Sequence, residues 1–415
     1  MFAGVVALVV ALAGCSADTH VELDVPAQAD GSFADATQTQ LQDAVTHAMA
    51  AAGASGAIVG VWAPWSGSWV AGVGTQRMGG GGSVTADMEF RAAQVTRPMT
   101  CDVLYALAAE GRVRLGESIS TYVSGLADLT DVSLEELCDG TSGIGSYSAQ
   151  LQPLWTTNPT RVWDARELAS YGLGQPRESA PGDAYRDSDA GYVLLGLALE
   201  RATGRSAADL IADYVADPLD LTATRLPTTA AAEPDAVALK GHVSLPGPDG
   251  ALNCTEPLDI TTLSASTGYT DSGVVSDVHD LHRYVQALAT GSLVTGEAAE
   301  DRFADAKPAF AGAPSWYLAT GGALLVGSMV GQFGAVPGYA TAAFSDPTTG
   351  LTIVVVLNNS AAGSLAAYLA WELAAISSKA PAASGETAPE AGLPWTAEQY
   401  HAAIAAGAVC APPAP

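Results

Sequence analysis

Strand-forming patterns occur in two groups, one near each end of the chain, and a long, mostly helical stretch separates them. The first group, AIVGVWAPWSGSWVAGVG at 57–74, alternates around a Pro-Trp-Ser-Gly turn and predicts a β-hairpin. The second group comprises SWYLATGGALLVG, GQFGAVPGYATAAFSD and TGLTIVVVLNN, within 315–359. Strands from both ends of the chain must then complete one sheet. This order predicts an α+β fold, an antiparallel sheet flanked by helices with an inserted, mostly helical region.

The same patterns divide the chain into one main domain with a segment at each end. Leu41, Val45 and Met49 repeat at helical spacing and indicate a first helix that begins near Thr37. The apolar segment SLAAYLAWELAAIS predicts the last helix of the domain. The predicted parts are a flexible tether at 15–36, a sheet part at 37–92 and 265–378, a helical part at 93–264, and a Pro/Ala-rich linker and tail at 379–415.

The N-terminal segment combines a short apolar run with a cysteine. Residues 2–14, FAGVVALVVALAG, are too few for a transmembrane helix, which needs about 20 apolar residues, but suit a signal peptide. The phrase LAGC at 12–15 resembles a bacterial lipobox, in which the cysteine becomes the lipidated N-terminus. We therefore expect residues 1–14 to be a lipoprotein signal peptide and Cys15 to be lipidated. The mature protein would be exported and anchored at the outer face of the cell membrane.

Charge and composition limit the classes of function. The chain has 44 acidic and 17 basic side chains among its 415 residues, a net charge of -27. Such a surface repels nucleic acid and anionic headgroups, so we expect no nucleic-acid partner. Hydrophobic residues make up 48% of the chain, which is enough for a large core.

The cysteines after Cys15 form an even set. They are Cys101, Cys138, Cys254 and Cys410. In an oxidising compartment an even set favours two disulfides over four thiols, and no C-x-x-C pair indicates zinc. Spacing alone leaves all three pairings open.

Four segments have the order and spacing of motifs in a known enzyme family. FRAAQVTRPMTCDVLYALAAEGRVRL resembles the segment that carries the S-x-x-K motif in class C-like serine β-lactamases, DD-peptidases and related serine esterases. LEELCDGTSGI, APGDAYRDSDAGYVLLGLALERATG and GQFGAVPGYATAAFSDPTTGLTIVVVLNN are similar to the family's H-T-S-G, Y-S-N and H-x-G segments. The likeness covers about residues 40 to 378. It implies the β-lactamase/transpeptidase-like fold that penicillin-binding proteins share.

The resemblance also implies where an active site would lie, and each catalytic position holds a different side chain. In that family a serine attacks a carbonyl, a lysine and a tyrosine move its proton, and an asparagine and a histidine complete the motifs. The residues at these positions are Gln94, Arg97, Asp187, Asp189 and Gln332. By the same resemblance, only the backbone N–H groups of Gln94 and Ala335 would remain as an oxyanion hole.

These replacements are chemically unable to perform the family's reaction. The carboxamide nitrogen of Gln94 is not a nucleophile, and Arg97 cannot act as a base because guanidinium has a pKa of about 12.5 or above. The three lysines, none of which follows a serine at S-x-x-K spacing, are Lys240, Lys307 and Lys379. Ser142 and Ser188 remain in the motifs, but neither has an evident neutral base. We expect them to form turn and helix-start hydrogen bonds.

The substituted residues carry complementary charges. We predict that Arg97 pairs with Asp189, with Asp187 as a further partner, and that this ion pair seals the old active site. The alternative is that these side chains point to solvent. We predict no metal and no cofactor: the Asp-Ser-Asp triplet is a weak signal, and His279 and His282 are expected on a solvated helix face.

For the cysteines, the resemblance favours one pairing. The helix that bears Cys101 and the helix that ends at Cys138 are neighbours in such proteins, so the expected disulfides are Cys101–Cys138 and Cys254–Cys410. The second bridge would hold the tail on the helical part.

The leading functional hypothesis is a cell-envelope lipoprotein that keeps the hydrolase fold without catalysis, a pseudoenzyme. Its cleft or outer face would bind a cell-wall (peptidoglycan) peptide or an envelope protein partner. One alternative is an active serine hydrolase that uses a non-standard nucleophile. The other is a structural or interaction protein whose cleft is closed by side chains.

Overall fold

The structure is a computed structural model that describes residues 20–126, 129–228, 238–294, 302–390 and 392–410. The predicted signal peptide at 1–14 and the lipidation site Cys15 lie outside the described residues. Within the described residues, no helix has the length and apolar character needed to cross a membrane.

The strands of the described chain are short except in the centre of the main sheet. They are β1 (Gly56–Ala63), β2 (Gly67–Arg77), β3 (Gly80–Ser83), β4 (Phe90–Arg91), β5 (His242–Val243), β6 (Leu258–Asp259), β7 (Val275–Ser276), β8 (Lys307–Pro308), β9 (Tyr317–Thr320), β10 (Ala323–Val326), β11 (Met329–Val336), β12 (Tyr339–Ser345) and β13 (Thr352–Leu357). The main sheet has nine strands in the order β3-β2-β1-β13-β12-β11-β10-β9-β8. The predicted joining of the two chain ends is confirmed, because β1 pairs antiparallel with β13 and Ala57 lies opposite Leu357.

The helices lie on both faces of this sheet. They are α1 (Asp35–Ala52), α2 (Thr96–Ala109), α3 (Leu134–Cys138), α4 (Ser148–Thr157), α5 (Ala165–Leu173), α6 (Asp189–Thr203), α7 (Ala207–Ile211), α8 (Tyr269–Ser272), α9 (Val278–Thr290), α10 (Ser364–Ser377) and α11 (Ala397–Ala406). The sequence signals for their ends are local. Ser188, for example, accepts a hydrogen bond from the Gly191 N–H at the start of α6, and Gly204 ends that helix with a φ of 72°.

Two hydrophobic cores result, one on each face of the sheet. The first contains α1 and α10 packed on the central strands, and the second contains α9 and the helices of the inserted part. Every residue of β1 and of β13 is buried. These two strands therefore read as nearly continuous apolar runs rather than alternating ones, because both of their faces are covered.

The segment before the first helix differs from its prediction as a flexible tether. Within 20–34, the Val21 N–H donates to Pro218 O at 2.9 Å and the Ala29 N–H donates to Pro64 O at 2.9 Å. The side chain of Phe33 is buried in the core beneath α1. This stretch thus lies along the domain, since it has backbone partners and an apolar anchor that its polar composition conceals.

The C-terminal segment also packs on the domain. Ala383 N–H donates to Trp65 O at 2.9 Å, and Trp395 is buried against α10. The helix α11, which the sequence predicts as a short helix in the tail, contacts α10 and α1. The disulfide Cys254–Cys410 joins this tail to the inserted part, and Cys101–Cys138 joins α2 to α3. Both expected pairings are present.

Candidate functional site

The position of the family's nucleophile lies in a short 3-10 turn at Ala93–Val95, just before α2. Gln94 occupies the middle of this turn and packs against β11, where a Cβ atom on Gly334 would collide with its side-chain oxygen. Ala93 has a backbone φ of 50°, a value that residues other than glycine rarely adopt. Such strain is characteristic of functional sites. The strained turn therefore holds Gln94, the residue at the family's nucleophile position, at the start of α2.

A cleft of about 350 Å³ opens beside this turn. Gln94 and Ala335, the two positions of the oxyanion-hole resemblance, both line it, together with Ser148, Trp155 and Thr267. None of the described residues that line the cleft is charged. The described surroundings of Gln94 in the cleft are thus neutral and partly polar.

Three of the lining residues have polar atoms without a partner. Gln94 Oε1, Trp155 Nε1 and Thr267 Oγ1 are buried and have no hydrogen-bond partner among the described residues. Buried polar atoms are nearly always paired, because leaving one unpaired costs about 1–3 kcal/mol. One acceptor and two donors on residues that line the cleft are thus unpaired.

Arg97, at the family's lysine position, is buried and held by two carboxylates. Its Nη1 lies 2.6 Å from Asp187 Oδ1, and its Nε lies 2.8 Å from Asp271 Oδ1. The guanidinium carbon also lies 4.7 Å from the ring centre of Tyr192. The side chain of Asp271 is 1% exposed, whereas that of Asp187 is 70% exposed. The cation is thus fixed from inside by one carboxylate and covered from outside by another.

The electrostatics of this group oppose proton transfer by Arg97. Burial disfavours the guanidinium charge, but Asp187 and Asp271 outweigh that effect and hold the pKa of Arg97 well above its ordinary value. Burial raises the pKa of Asp271 to about 6, although Arg97 acts to lower it. Arg97 therefore stays charged at any physiological pH.

The predicted pairing of Arg97 with Asp189 is wrong. Asp189 instead accepts hydrogen bonds at the start of α4, from the Tyr147 N–H at 2.7 Å and the Ser148 N–H at 3.0 Å. The hydroxyls of Ser146 and Ser148 donate to the same carboxylate. This arrangement satisfies the free N–H groups of a helix start, which is a common use of an aspartate. Asp271, which the sequence interpretation missed, takes the place beside Arg97.

Gln332, at the family's histidine position, does not line the cleft in the described structure. Its Nε2 donates to Gly322 O at 2.8 Å, and its Oε1 accepts from the Phe333 N–H at 2.9 Å. Both polar atoms of the buried amide are used by the backbone. Gln332 therefore has a structural role between β11 and the turn at Gly322.

The two serines retained in the motifs form local hydrogen bonds. Ser142 Oγ accepts from the Ile144 N–H at 3.3 Å, and Ser188 Oγ donates to Gly145 O at 3.1 Å while it caps α6. The serines that do line the cleft are Ser148, Ser272 and Ser360, which the motifs did not single out. No S-x-x-K spacing or elbow motif marks them.

One of the two histidines on α9 differs from its predicted surroundings. His279 is exposed, but His282 is half-buried and stacks on Trp62 with ring centres 3.9 Å apart, so it is not on a solvated face. A further group, His47, Glu372 and His401, forms on the other side of the sheet. The sequence interpretation, which predicted no metal site, did not connect these three residues because they are distant in the chain.

The fold, with a cleft at the start of α2, is of the β-lactamase/transpeptidase-like class. Residues 41–377 match the Beta-lactamase family, and the chain belongs to that family.

Similar proteins include enzymes that act on D-configured compounds, as their names state. The D-aminopeptidase of Brucella anthropi is 27% identical over 151 residues, which are 36% of this chain and 28% of that protein. The D-stereospecific amidohydrolase from Streptomyces sp. has a TM-score of 0.68 at 23% identity, over 81% of this chain and 98% of that one. The D-amino acid amidase from Ochrobactrum anthropi SV3 has a TM-score of 0.67 at 21% identity, over 82% of this chain and 94% of that one. This D-aminopeptidase and a second curated relative, Penicillin-binding protein 4* of Bacillus subtilis, are each matched over less than a third of their own length.

Proposed function

We propose that this chain is a non-catalytic member of the Beta-lactamase family whose cleft binds an amide or peptide group without cleaving it. The observation that carries the proposal is the fixed, buried Arg97, paired with Asp187 and Asp271 beside a glutamine at the nucleophile position. A serine hydrolase needs a nucleophile and a group that takes its proton. Gln94 supplies no nucleophile, and Arg97 is already protonated and cannot take up a further proton.

The tyrosines near Arg97 do not replace the missing base. Burial raises the pKa of Tyr147 and of Tyr192 well above the ordinary value, and burial and Asp187 raise that of Tyr185. A tyrosine accepts a proton only as phenolate, and these shifts keep all three protonated at neutral pH. Arg97 itself is thus permanently charged. The described groups around it are carboxylates that already accept hydrogen bonds and tyrosines that stay neutral.

The cleft favours a neutral polar ligand. Its uncharged lining provides no counter-ion for a free carboxylate or amine, whose burial without a partner is costly. The unpaired acceptor on Gln94 and the unpaired donors on Trp155 and Thr267 suit an amide, which has both an N–H and a C=O. The similar proteins include a D-amino acid amidase, a D-aminopeptidase and a D-stereospecific amidohydrolase, and cell-wall peptides contain D-amino acids. We therefore propose an amide-linked D-residue of such a peptide as the ligand class.

We also propose that the protein is exported and anchored through Cys15 at the outer face of the membrane. The two disulfides support export, because disulfides persist mainly in oxidising compartments. Metabolic labelling with an alkyne fatty acid tests this point. Label is expected on the native chain and absent from the Cys15→Ser variant, and a native chain without label would refute the anchor.

One experiment tests catalysis and binding separately. Purified protein is treated with a fluorophosphonate and a fluorescent penicillin, and calorimetry then measures binding of a capped D-phenylalanine amide and its L-enantiomer. We expect no covalent label and tighter binding of the D-form. Trp155→Phe should weaken binding because it removes the indole N–H, whereas the matched control Trp69→Phe, outside the cleft lining, should not. Covalent labelling of a serine would overturn the non-catalytic assignment, and equal or no binding would overturn the ligand class.

One observation favours an alternative, an active hydrolase that uses Ser148. This serine lines the cleft with Gln94, and its hydroxyl donates to the Asp189 carboxylate. The same carboxylate already accepts from Ser146 and from backbone N–H groups, which leaves it little capacity to take a proton. Labelling that is lost in Ser148→Ala would establish this alternative.

The closed-cleft alternative is disfavoured by the cavity of about 350 Å³.

A further inference from the structure

Three helices bring two histidines and a glutamate together on the sheet face that lies away from the cleft. His47 is on α1, Glu372 is on α10 and His401 is on α11. The Nδ1 atom of His401 lies 2.9 Å from Glu372 Oε1, and the rings of His47 and His401 stack with centres 3.8 Å apart. One side-chain nitrogen or oxygen from each residue lies within 4.8 Å of the others.

The hydrogen bonds within this group leave two ligand atoms unused. Glu372 Oε2 and His47 Nδ1 are buried and have no hydrogen-bond partner among the described residues. Glu372 as a whole is only 3% exposed and sits in an otherwise apolar helix, SLAAYLAWELAAIS. A carboxylate so deeply buried requires compensation beyond the single contact with His401.

We infer that His47, Glu372 and His401 form a binding site for a divalent transition-metal ion of the Zn²⁺ class. Two imidazoles and one carboxylate are a ligand set that zinc accepts, with bonds of about 2.0–2.2 Å. Tetrahedral ligands at that bond length lie about 3.3–3.6 Å apart. The observed group, within 4.8 Å, reaches this spacing by small side-chain rotations. A cation there gives partners to both unused atoms.

The surroundings leave room for a fourth ligand. Glu372 and His401 line a cavity of about 790 Å³ that also contains Asp43, Glu398 and one cation, Lys379. Water has access to the cavity, so it can complete the coordination, as it does in open zinc sites. The two extra carboxylates outnumber the lysine and favour a cation in the cavity. The site links α1 and α10 to α11, so the ion would also hold the C-terminal helix on the domain.

The test uses tag-free, full-length protein treated with a chelator and then titrated with Zn²⁺ alone. We expect one ion per chain by calorimetry and by elemental analysis after gel filtration, and Co²⁺ should give the visible bands of four-coordinate nitrogen and oxygen ligation. His47→Ala and His401→Ala should each weaken binding at least tenfold. His279→Ala removes an exposed histidine elsewhere and is the matched control, for which binding should be unchanged.

A conservative variant separates metal binding from folding. Glu372→Gln keeps the shape of the side chain but removes its charge, so it should remain folded by circular dichroism and lose affinity for Zn²⁺. Zn²⁺ should also slow proteolysis of the tail in the native chain and not in this variant. No binding to the native chain, or equal affinity in the His47, His401 and Glu372 variants, would overturn the inference. The result is independent of catalysis, because the site lies on the other face of the sheet.

Discussion

Arg97 Nη1 and Asp187 Oδ1 lie 2.6 Å apart, at the positions where the family has a lysine and a tyrosine. Without Arg97, Asp187 would be an unpaired carboxylate beside the cleft, whereas Arg97 without Asp187 would still be paired with the buried Asp271. The ion pair fixes both side chains and helps to keep the guanidinium of Arg97 charged. The residues at these two family positions are therefore linked directly to each other by an ion pair.

The first prediction concerns restoring the nucleophile. Gln94→Ser places a serine at the start of α2, but the protein should remain unlabelled by fluorophosphonate, because Arg97 cannot accept the hydroxyl proton. In-gel fluorescence of the purified variant measures this, with Gln94→Ala as the matched control. A labelled Gln94→Ser protein would show that some other group acts as the base.

The second prediction concerns the buried cation. Arg97→Met leaves Asp271 buried without its partner, which should cost about 3 kcal/mol of unfolding free energy at pH 7.5. Asp187→Asn removes the exposed partner, whose carboxylate is 70% exposed, and should cost no more than about 1 kcal/mol. Urea unfolding measures both. Equal costs for the two variants would contradict the assignment of Arg97 and Asp271 as the buried pair.

The cost of Arg97→Met should also depend on pH. Burial already raises the pKa of Asp271 to about 6 from 3.8, and the loss of Arg97 raises it further. A carboxyl whose pKa is raised in the folded state binds its proton more tightly there than in the unfolded chain. Lowering the pH through the pKa of Asp271 in the folded variant therefore stabilises the variant. The cost of the substitution should therefore be smaller at pH 5 than at pH 7.5. A cost independent of pH would mean that Asp271 does not bear the lost charge.

The sequence predicted the fold because its strongest signals are local or come from well-spaced motifs. The strand patterns predicted that both ends of the chain complete one sheet, which the pairing of β1 with β13 confirms. The family resemblance placed Gln94 and Arg97 at the start of α2. The family resemblance also gave the Cys101–Cys138 pairing, since it depends only on which helices are neighbours. Such features need no knowledge of side-chain directions.

The site was predicted only in part, because the directions of the side chains determine which residues contact one another there. Asp187 and Asp189 are two residues apart, and only the backbone path into α6 determines that the first meets Arg97 and the second caps α4. Asp271 is 174 residues from Arg97 and belongs to no motif of the family. His47 and His401 are similarly remote. Local periodicity carries no information about such contacts.

The third prediction concerns acid stability and His282. Burial lowers the pKa of His282 to about 3 from 6.5, and its Nε2 is buried without a partner among the described residues. The unfolded chain binds this proton below pH 6.5 and the folded chain does not. The contribution of His282 to the unfolding free energy is therefore fully present above pH 6.5. It is lost as the pH falls towards 3, by about 1.4 kcal/mol per pH unit.

His282→Phe keeps an aromatic ring against Trp62 and removes the titrating group. Between pH 6.5 and pH 5 this variant should lose about 2 kcal/mol less unfolding free energy than the native chain. Urea unfolding at both pH values measures the difference. The control is His279→Gln, an exposed residue on the same helix, which should follow the native chain. If His282→Phe also follows the native chain, His282 is not held neutral.

The last prediction concerns the disulfide between Cys254 and Cys410. It closes a loop of 156 residues and holds the end of the tail, where the Cys410 N–H also donates to Ala51 O at 3.1 Å. Replacing both cysteines by serine removes the constraint on the unfolded chain, which should cost about 2–4 kcal/mol. Few other covalent or polar contacts among the described residues hold α11 on the domain. Its backbone amides should therefore show the largest rise in hydrogen exchange, measured by mass spectrometry.

The matched control is the double serine variant of Cys101 and Cys138. That bridge lies in the core of the inserted part, where both cysteines are fully buried, so its loss should raise exchange in α2 and α3 and leave α11 unchanged. The two variants should thus give complementary exchange patterns. If the Cys254 and Cys410 variant raised exchange evenly over the whole chain, the tail would be an integral part of the cooperative fold and not a separately attached helix.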